Sequence, residues 1–484
     1  MSVRRLPSVL TSLEPSSHPY LNGAWTPLLE EVDVDDLQVI SGTIPEDIDG
    51  IYLRNTENPV HQPLGRYHPF DGDGMVHQIA FSGGKASYRN RFVRTRGFAA
   101  EQEAQGSLWG GLADPVHLAK RPGWGAHGAL KDSSSTDIVV HAGKALSTFY
   151  QCGEGYRLDP LTLETEGLAP WVPIDGISAH PKVDEATGEL MFFNYSKHPP
   201  YLHYGLVGAD DRLKVYQPVP VAGPRLPHDM AFTEHYAILN DLPAFWDAKL
   251  LERNIHAVRF HEGLPSRFAI VPRMGGEVRW FEAAPTYVLH WLNAYEEGDE
   301  IVLDGYFQED PTPEPHADAQ PGYGHMMAYL DEHSFKPKLH RWRFNLKDGT
   351  TREERLDERI MEFGMINARH AGRPYRYGYS TVTKPGWFLF TGFVKTDLLT
   401  RQSTSYMLPE GVYASEAPFA PRVGSLDEDD GYLVSFLIDE NQGRSECVLL
   451  DARDITKGPI CRIALPHKVS SGTHAVWAGQ DMLG

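Results

Sequence analysis

Short stretches in which apolar and polar residues alternate recur along nearly the whole chain. In one of them MVHQIAF is followed by the turn SGGK and then by ASYRNRFVRT, and alternation on both sides of a glycine turn predicts a β-hairpin. The pattern returns in TDIVVHAGKALSTFY, GELMFFNYS, HYAILNDLP, EIVLDGYFQ, HRWRFNL and GYLVSFLIDENQGRSECVLLD. The segments RLDPLTLETEG and NLKDGTTREERL have Asp, Asn and Gly at turns and are interpreted as outer hairpins. The chain is therefore predicted to be all-β.

Helical periodicity is scarce. Residues 98–112 and 242–260 fit an amphipathic helix best. No linker rich in Pro, Gly or Ser separates segments of different composition. We therefore expect one domain over residues 1–484, with helices inserted between strands.

Four histidines each stand where an apolar or small-residue stretch meets a turn. They are His180 in GISAHPK, His228 in RLPHDM, His290 in YVLHWLNAY and His474 in SSGTHAVW. The first two gaps between them are 48 and 62 residues, against about 40 to 50 residues for one four-stranded propeller blade. The last gap, 184 residues, has room for several more blades.

A closed β-propeller would bring these distant histidines together. One histidine at the inner end of each of four blades gives an all-imidazole site, which suits Fe, Zn, Cu or Ni better than Mg or Ca. The alternative is that each histidine is an ordinary hydrogen-bonded interior residue.

Composition restricts the class of protein. The net charge of -20 argues against a nucleic-acid partner, which would need a basic face. Three cysteines form no disulfide framework and suit a reducing compartment. The N-terminal stretch has no long apolar run typical of a signal peptide. The longest apolar runs fall short of the roughly 18 residues that span a bilayer, so we expect a cytoplasmic protein.

Motifs along the whole chain resemble the carotenoid cleavage oxygenase family. They are IPEDIDGIYLRN, YHPFDGDGMVHQIAF, RNRFVRT, SAHPK, PHDMAFTEHYAIL, VRWFEAAPTYVLHWLNAYE, MEFGMIN, ASEAPFAPR with EDDGYLVS, and GTHAVW. The resemblance implies a seven-bladed β-propeller with a helical and loop cap over a central metal. It also implies one non-haem Fe(II) per chain, held by His180, His228, His290 and His474, with O2 as co-substrate and no organic cofactor.

The resemblance also assigns residues around the iron. Glu362 and Glu416 match two glutamates that hold ligand histidines, and the alternative is that each is an ordinary buried glutamate. A third such glutamate is missing, because HAGKALSTFYQCGEG places Tyr150 or Gln151 where it should stand. Glu154 is too far along unless the loop bulges, which leaves open the partner of one histidine, interpreted as His228.

Thr136 matches a small residue that overlooks the open iron position in relatives. The alternative is that it is a plain strand threonine.

The expected reaction is dioxygenase cleavage of a conjugated C=C bond to two carbonyl products. Relatives that act on hydroxystilbenes or phenylpropanoids carry a Tyr and a Lys that address the phenol, where this chain has Leu112 and Phe149. A buried phenol without a partner costs about 1 to 3 kcal/mol, so we expect a carotenoid or apocarotenoid. A hydroxystilbene or phenylpropanoid alkene is the alternative. Phe70, Trp291 and Phe363 complete the predicted substrate pocket, and core packing is their alternative role.

The segment from Trp109 to Trp124 combines apolar residues with Lys120 and Arg121. We expect it to form a lip that makes peripheral membrane contact to collect a lipophilic substrate. The alternative is a buried cap loop of the same composition. No obligate protein partner is evident.

Two further alternatives stay open. A propeller can serve as a non-catalytic interaction protein, but such a scaffold has no reason to keep four histidines together with Glu362 and Glu416. An isomerohydrolase is a further family activity to which nothing in this sequence points.

Overall fold

The structure, a computed structural model, describes residues 3–112, 114–122, 130–247, 249, 258–317, 319 and 322–483. The chain divides into two compact units, Met1–Ala179 with Tyr406–Gly484 and His180–Ser405. The prediction of one domain over residues 1–484 stays a prediction.

The N-terminal part of the first unit has two antiparallel sheets, ordered β1-β2-β6-β5-β4 and β10-β9-β8-β7. The strands are β1 (Val3–Arg5), β2 (Val32–Val34), β3 (Val39–Gly42), β4 (Gly50–Asn58), β5 (Asp73–Ser82), β6 (Lys85–Phe92), β7 (Asp137–His141), β8 (Lys144–Thr148), β9 (Tyr156–Leu158) and β10 (Thr165–Leu168).

The second unit has four sheets of four strands, ordered β11-β12-β13-β14, β15-β16-β19-β20, β21-β22-β23-β24 and β25-β26-β27-β28, with a separate β17-β18 hairpin. The strands are β11 (Lys182–Asp184), β12 (Glu189–Tyr195), β13 (Leu202–Val207), β14 (Leu213–Pro218), β15 (Ala231–Phe232), β16 (Tyr236–Asp241), β17 (Ala244–Trp246), β18 (Val258–Phe260), β19 (Ser266–Pro272), β20 (Arg279–Ala283), β21 (Trp291–Glu297), β22 (Glu300–Gln308), β23 (Pro337–Asn345), β24 (Thr351–Arg355), β25 (Glu362–Met365), β26 (Tyr377–Thr383), β27 (Phe390–Asp397) and β28 (Gln402–Met407).

The C-terminal part of the first unit adds a third sheet to that unit, ordered β29-β31-β32-β33-β3, with β30 paired to β31. Its last strand, β34, instead pairs antiparallel with β4, so that Ala475 lies opposite Arg54 and Gly479 opposite Gly50. The strands are β29 (Val412–Ala414), β30 (Phe419–Pro421), β31 (Gly431–Asp439), β32 (Arg444–Asp451), β33 (Pro459–Ala464) and β34 (Ala475–Gly479). Segments far apart in the sequence thus close one sheet.

Helices are few. The described residues contain the α-helices α1 (Arg96–Ala104) and α2 (Gly324–Leu330) beside 34 strands, which confirms the all-β prediction. Short 3-10 turns span Pro19–Leu21, Gly23–Trp25, Pro69–Asp71, Val116–Leu118, Glu332–Phe335, Ala368–His370, Ile455–Lys457 and Gln480–Met482. In the described part of the chain, no helix is both long and apolar enough to cross a membrane.

The hairpin predicted around SGGK is confirmed. Ser82 of β5 pairs with Lys85 of β6, and the two residues between them, Gly83 and Gly84, have φ of +54° and +70°. Positive φ at both positions is what a two-residue type I′ turn requires, and glycine adopts it without steric cost. The two predicted outer hairpins are also present, as β9 with β10 and β23 with β24.

Of the two predicted helices, the first is present and the second is not found in the described residues at its two ends. The first is α1, which begins two residues earlier than predicted and ends before Gln105, where the backbone turns left-handed at φ +52°. The prediction over residues 242–260 is wrong at both flanks, because β17 and β18 form a hairpin there; residues 248 and 250–257 lie outside the described part. The aromatic and β-branched side chains of the flanks suit a strand, and the ring of Phe245 stacks on His261 with centroids 4.2 Å apart.

Within the second unit, Asp184 ties three sheets together. This carboxylate ends β11 and is fully buried. It accepts hydrogen bonds of 2.8 Å from Arg273, which follows β19, and from Arg373, which lies between β25 and β26. Burial alone would raise the pKa of Asp184, but the hydrogen bonds from Arg373 and Arg273 hold it below its usual value of 3.8. The ionised form is therefore the one that stabilises the fold.

We expect Asp184→Ala to lower the free energy of unfolding by about 3 to 5 kcal/mol, because two guanidinium groups lose their buried counter-ion. The difference from wild type should be complete near neutral pH. It should shrink as the pH falls below 3.8, since the folded-state pKa is lowered and the stabilising carboxylate is lost on protonation. Denaturant midpoints measured between pH 7 and pH 3 test this. Asp210→Ala, which removes an exposed partner of Lys214, is the control and should leave the midpoint unchanged.

Candidate metal centre

The four predicted ligand histidines occupy one common position in their sheets. His290 directly precedes β21, His474 directly precedes β34, His180 stands two residues before β11, and His228 stands three residues before β15. Each of these strands lies at the end of its sheet's strand order. Each histidine therefore stands where the chain turns into the terminal strand of its sheet.

In the second unit, His180, His228 and His290 lie together. The Nε2 atoms of His180 and His228 are 3.3 Å apart. The ring centroid of His180 lies 4.9 Å from that of His228 and 5.1 Å from that of His290. The centroids of His228 and His290 are also 5.1 Å apart. Three imidazoles from three sheets therefore form one cluster.

The backbone at His180 is unusual, because its φ is +63°. Few non-glycine residues adopt this left-handed conformation, although histidine is among those enriched there. The turn directs the buried imidazole toward His228 rather than along the strand that follows. Strain of this kind is typical of functional positions.

Glu362 orients His290. Its Oε2 lies 2.7 Å from Nδ1 of His290 and also accepts the backbone N–H of Phe363 at 2.6 Å. Glu362 is fully buried as the first residue of β25, and its carbonyl accepts a hydrogen bond from Thr381. Because a carboxylate only accepts, the proton of the neutral imidazole must be on Nδ1, which leaves the Nε2 lone pair for a metal.

The first unit contains a parallel arrangement around His474. Its Nδ1 lies 3.3 Å from Oε1 of Glu416, and Oε2 of Glu416 accepts the backbone N–H of Ala475 at 2.6 Å. Both side chains are buried. The same carboxylate therefore fixes the tautomer of the imidazole and the start of β34.

Thr136 has its hydroxyl engaged within the first unit. Its Oγ1 accepts the backbone N–H of Tyr150 at 3.2 Å, and its carbonyl accepts a hydrogen bond from Thr473, the neighbour of His474. Thr136 lies in a bend directly before β7 rather than in a strand, and these contacts favour a structural role that supports the loop before His474.

The missing third glutamate is not replaced by Glu154. That carboxylate pairs with Arg96 and accepts the hydroxyl of Tyr156 at 2.6 Å. Tyr150 is packed between aromatic rings, 5.3 Å from Phe149 and 5.9 Å from Phe70 between centroids. At this position the chain has an aromatic cluster, as expected from the absence of the third glutamate in the sequence.

The predicted pocket residues fall into two environments. Phe363 is buried, and its ring centroid lies 4.6 Å from that of His290. Trp291 instead packs in the core of the second unit, with its ring against Phe268 and Trp342, which favours the packing alternative.

In the first unit, Phe70 and Leu112 share a neighbour. Asp71, which follows Phe70, accepts the backbone N–H of Leu112 at 2.9 Å. Leu112 therefore offers only its aliphatic side chain, and Phe149 is buried.

Within the described part of the predicted membrane lip, Trp109 and Gly110 are buried, whereas Pro115, His117 and residues 120–122 are exposed. Trp109 is buried, its Nε1 donates to the carbonyl of Pro122 at 2.8 Å, and Arg121 lies over its ring. These contacts favour the buried alternative for Trp109 alone, and peripheral membrane contact of the segment stays a prediction. Trp124 lies outside the described residues.

Sequence reasoning missed two buried ionisable residues near His474. Arg54 and Glu57 lie on β4 and are almost completely buried. Burial above all raises the pKa of Glu57 to about 8, although Arg54 and His474 act in the opposite direction. The signal was present in the sequence, because RNTEN places two charged residues in a strand that is buried along its whole length.

Comparisons with known proteins agree with this geometry. A family model described as retinal pigment epithelial membrane protein matches residues 25–479. The chain is 32% identical to carotenoid 9,10(9',10')-cleavage dioxygenase 1 of Pisum sativum, covering 96% of this chain and 91% of the relative. It is 31% identical to lignostilbene-alpha,beta-dioxygenase isozyme III of Sphingomonas paucimobilis, covering 96% and 97%.

The structure is also similar to the crystal structure of a lignostilbene dioxygenase from Pseudomonas brassicacearum. The TM-score is 0.83 at 27% identity, and the match covers 97% of this chain and 100% of that chain. This similarity confirms the predicted fold class, an all-β propeller.

We expect Glu362→Gln to weaken binding of a divalent metal by about 10- to 100-fold, because the amide holds Nδ1 of His290 less strongly. Titration with Fe(II) or Co(II) against a competing chelator measures the change. Glu353→Gln is the matched control, since Glu353 lies 3.3 Å from His340, a histidine outside the cluster in the same unit. Equal losses in both variants would contradict an orienting role for Glu362.

Proposed function

The chain belongs to the carotenoid cleavage oxygenase family, and on that premise we propose that it binds one Fe(II) through His180, His228, His290 and His474. It is an oxygenase whose reaction class is the oxidative cleavage of an alkene. The proposed substrate is a carotenoid or apocarotenoid, in which O2 converts one conjugated C=C bond into two C=O groups. The observation that carries the proposal is the cluster of three imidazoles in the second unit, with His290 held by Glu362.

The residues fit a metal of this kind. Two ligands about 2.0 to 2.1 Å from one ion stand about 2.8 to 3.4 Å apart, from right-angled to tetrahedral geometry. The Nε2 atoms of His180 and His228 are 3.3 Å apart. Neutral imidazoles suit Fe(II) and leave its positive charge intact. The matching His474 and Glu416 pair supports the inclusion of His474 as the fourth ligand.

Iron, when bound, would supply the activation of O2. The contribution of the protein lies in holding and shielding. Glu362 and Glu416 keep the Nδ1 protons of their histidines in place and hold the Nε2 lone pairs in fixed directions. The buried ring of Phe363 lies 4.6 Å from that of His290 between centroids and packs against it. Aromatic faces near the substrate would also steady positive charge that develops on a polyene.

We expect His290→Ala to abolish iron retention and O2 consumption together, because it removes one imidazole and leaves Glu362 without its buried partner. Iron per chain after gel filtration, and O2 uptake with an apocarotenal, are the two measurements. A variant with full iron and full turnover would exclude this site.

The substrate class rests on what the pocket lacks. The resemblance places Leu112 and Phe149 where phenol-cleaving relatives carry Tyr and Lys, and neither of these two side chains can hydrogen-bond or ion-pair with a phenol. A phenol placed there would lose its hydrogen-bond partner, whereas an apolar polyene would not. Identity does not decide between the classes, since carotenoid and stilbene relatives are equally distant, at 32% and 31%.

We therefore expect kcat/KM for at least one apocarotenal to exceed that for every hydroxystilbene tested by about tenfold, the equivalent of one lost hydrogen bond. Mass analysis of the carbonyl products from a panel of apocarotenals, carotenes and hydroxystilbenes tests this. Faster turnover of a hydroxystilbene would contradict the proposed substrate class but would still agree with oxidative alkene cleavage. A cytoplasmic location and peripheral membrane contact stay predictions.

A further inference from the structure

A buried carboxylate stands directly after one of the clustered histidines. Asp229 follows His228 and is 2% exposed. Its Oδ1 forms an ion pair with Nζ of Lys182 at 2.7 Å, and its Oδ2 accepts the backbone N–H of Trp291 at 2.9 Å. The carboxylate therefore joins the beginnings of β11 and β21.

Both partners of Asp229 are neighbours of the other two histidines. Lys182 stands two residues after His180, and Trp291 stands directly after His290. The backbone carbonyl of Asp229 in turn accepts Nδ2 of Asn240 at 2.8 Å, which anchors the loop to β16. One side chain thus connects the three loops that carry His180, His228 and His290.

We propose that Asp229, with Lys182 as its counter-ion, is a positioning residue that sets the spacing of these three imidazoles. The inference rests on the proposed metal site and adds a second kind of support to it. Glu362 fixes the direction of one ring, whereas Asp229 fixes the relative positions of three backbone segments.

Metal coordination requires accurate positions of the ligand atoms. Metal–nitrogen bonds tolerate about 0.2 Å of error, yet the three ligands come from three different sheets. A loop at the end of a sheet gains little stability from the ladder itself, so its position depends on specific contacts. A buried carboxylate that meets a cation and a backbone N–H on opposite oxygens supplies two such contacts with defined directions.

Two single variants test the tie. In Asp229→Asn the amide turns its NH2 either toward Lys182 and the Met230 N–H or toward the Trp291 N–H, so that donor meets donor on one side. Lys182→Met removes the counter-ion of the buried Asp229 by changing a side chain that is about one quarter exposed, and its thermal midpoint, which should fall, is measured alongside metal affinity. Each variant should weaken Fe(II) binding about tenfold, measured by competition with a chelator.

The Fe(II) affinity of a double variant at Asp229 and Lys182 distinguishes a positioning role from general destabilisation of the fold. The double variant should bind Fe(II) no more than about threefold more weakly than Asp229→Asn alone, because both changes break the same contact. Lys182→Arg keeps the cation and should restore affinity to within about threefold of wild type. Co(II)-loaded Asp229→Asn and Lys182→Met should also show altered visible absorption, since the ligand geometry has changed.

Asp304→Asn is the matched control. Asp304 is fully buried in the same unit and pairs with Arg341 through two hydrogen bonds of 2.8 Å, but none of its partners adjoins a ligand histidine. It should lower the thermal midpoint while leaving Fe(II) affinity and the Co(II) spectrum unchanged. Equal metal losses in this control, or wild-type affinity in both Asp229→Asn and Lys182→Met, would overturn the inference.

Failure of the inference and failure of the proposed function give different results. If His290→Ala loses the metal while the Asp229 and Lys182 variants keep it, only the positioning role fails. If His290→Ala binds Fe(II) as tightly as wild type, the metal site itself fails and the inference fails with it.

Discussion

The hydrogen bond from His290 to the buried carboxylate of Glu362 is the constraint on which the site depends. A buried carboxylate needs a donor, and a buried imidazole needs its proton assigned, so each group satisfies the other at 2.7 Å. His474 and Glu416 repeat this solution in the first unit. Both glutamates also accept a backbone N–H, from Phe363 and Ala475, so the carboxylates are held by the strands that they serve.

Much of this fold can be predicted from the sequence, because the strands that pair within one blade are mostly close together in the chain. Alternation and the Gly83–Gly84 turn predict the β5 and β6 hairpin from neighbouring residues alone. The error over residues 242–260 has the opposite cause. Its apolar residues fit a helical period as well as a strand, and the decision comes from tertiary contacts such as Phe245 on His261, which no local pattern contains.

In the candidate site, too, some residues can be predicted from the sequence and others cannot. The histidines and Glu362 are predicted by the sequence motifs in which they stand. The contacts of Asp229 and Trp291 do not, since a buried aspartate and a buried tryptophan serve packing and binding alike until their neighbours are known. The ring of Trp291 packs in the core, while its backbone N–H donates to Asp229. The sequence does not show that one residue has both roles.

The left-handed backbone at His180 bears on how this protein responds to selection. A φ of +63° is unfavourable for any residue with a Cβ and costs glycine nothing. A library screened only for heat resistance would therefore be drawn toward glycine at position 180, which relieves the backbone and removes a buried polar ring. Gains in heat resistance and retention of the imidazole oppose each other at this position. Directed evolution of this chain needs a screen for activity alongside the screen for stability.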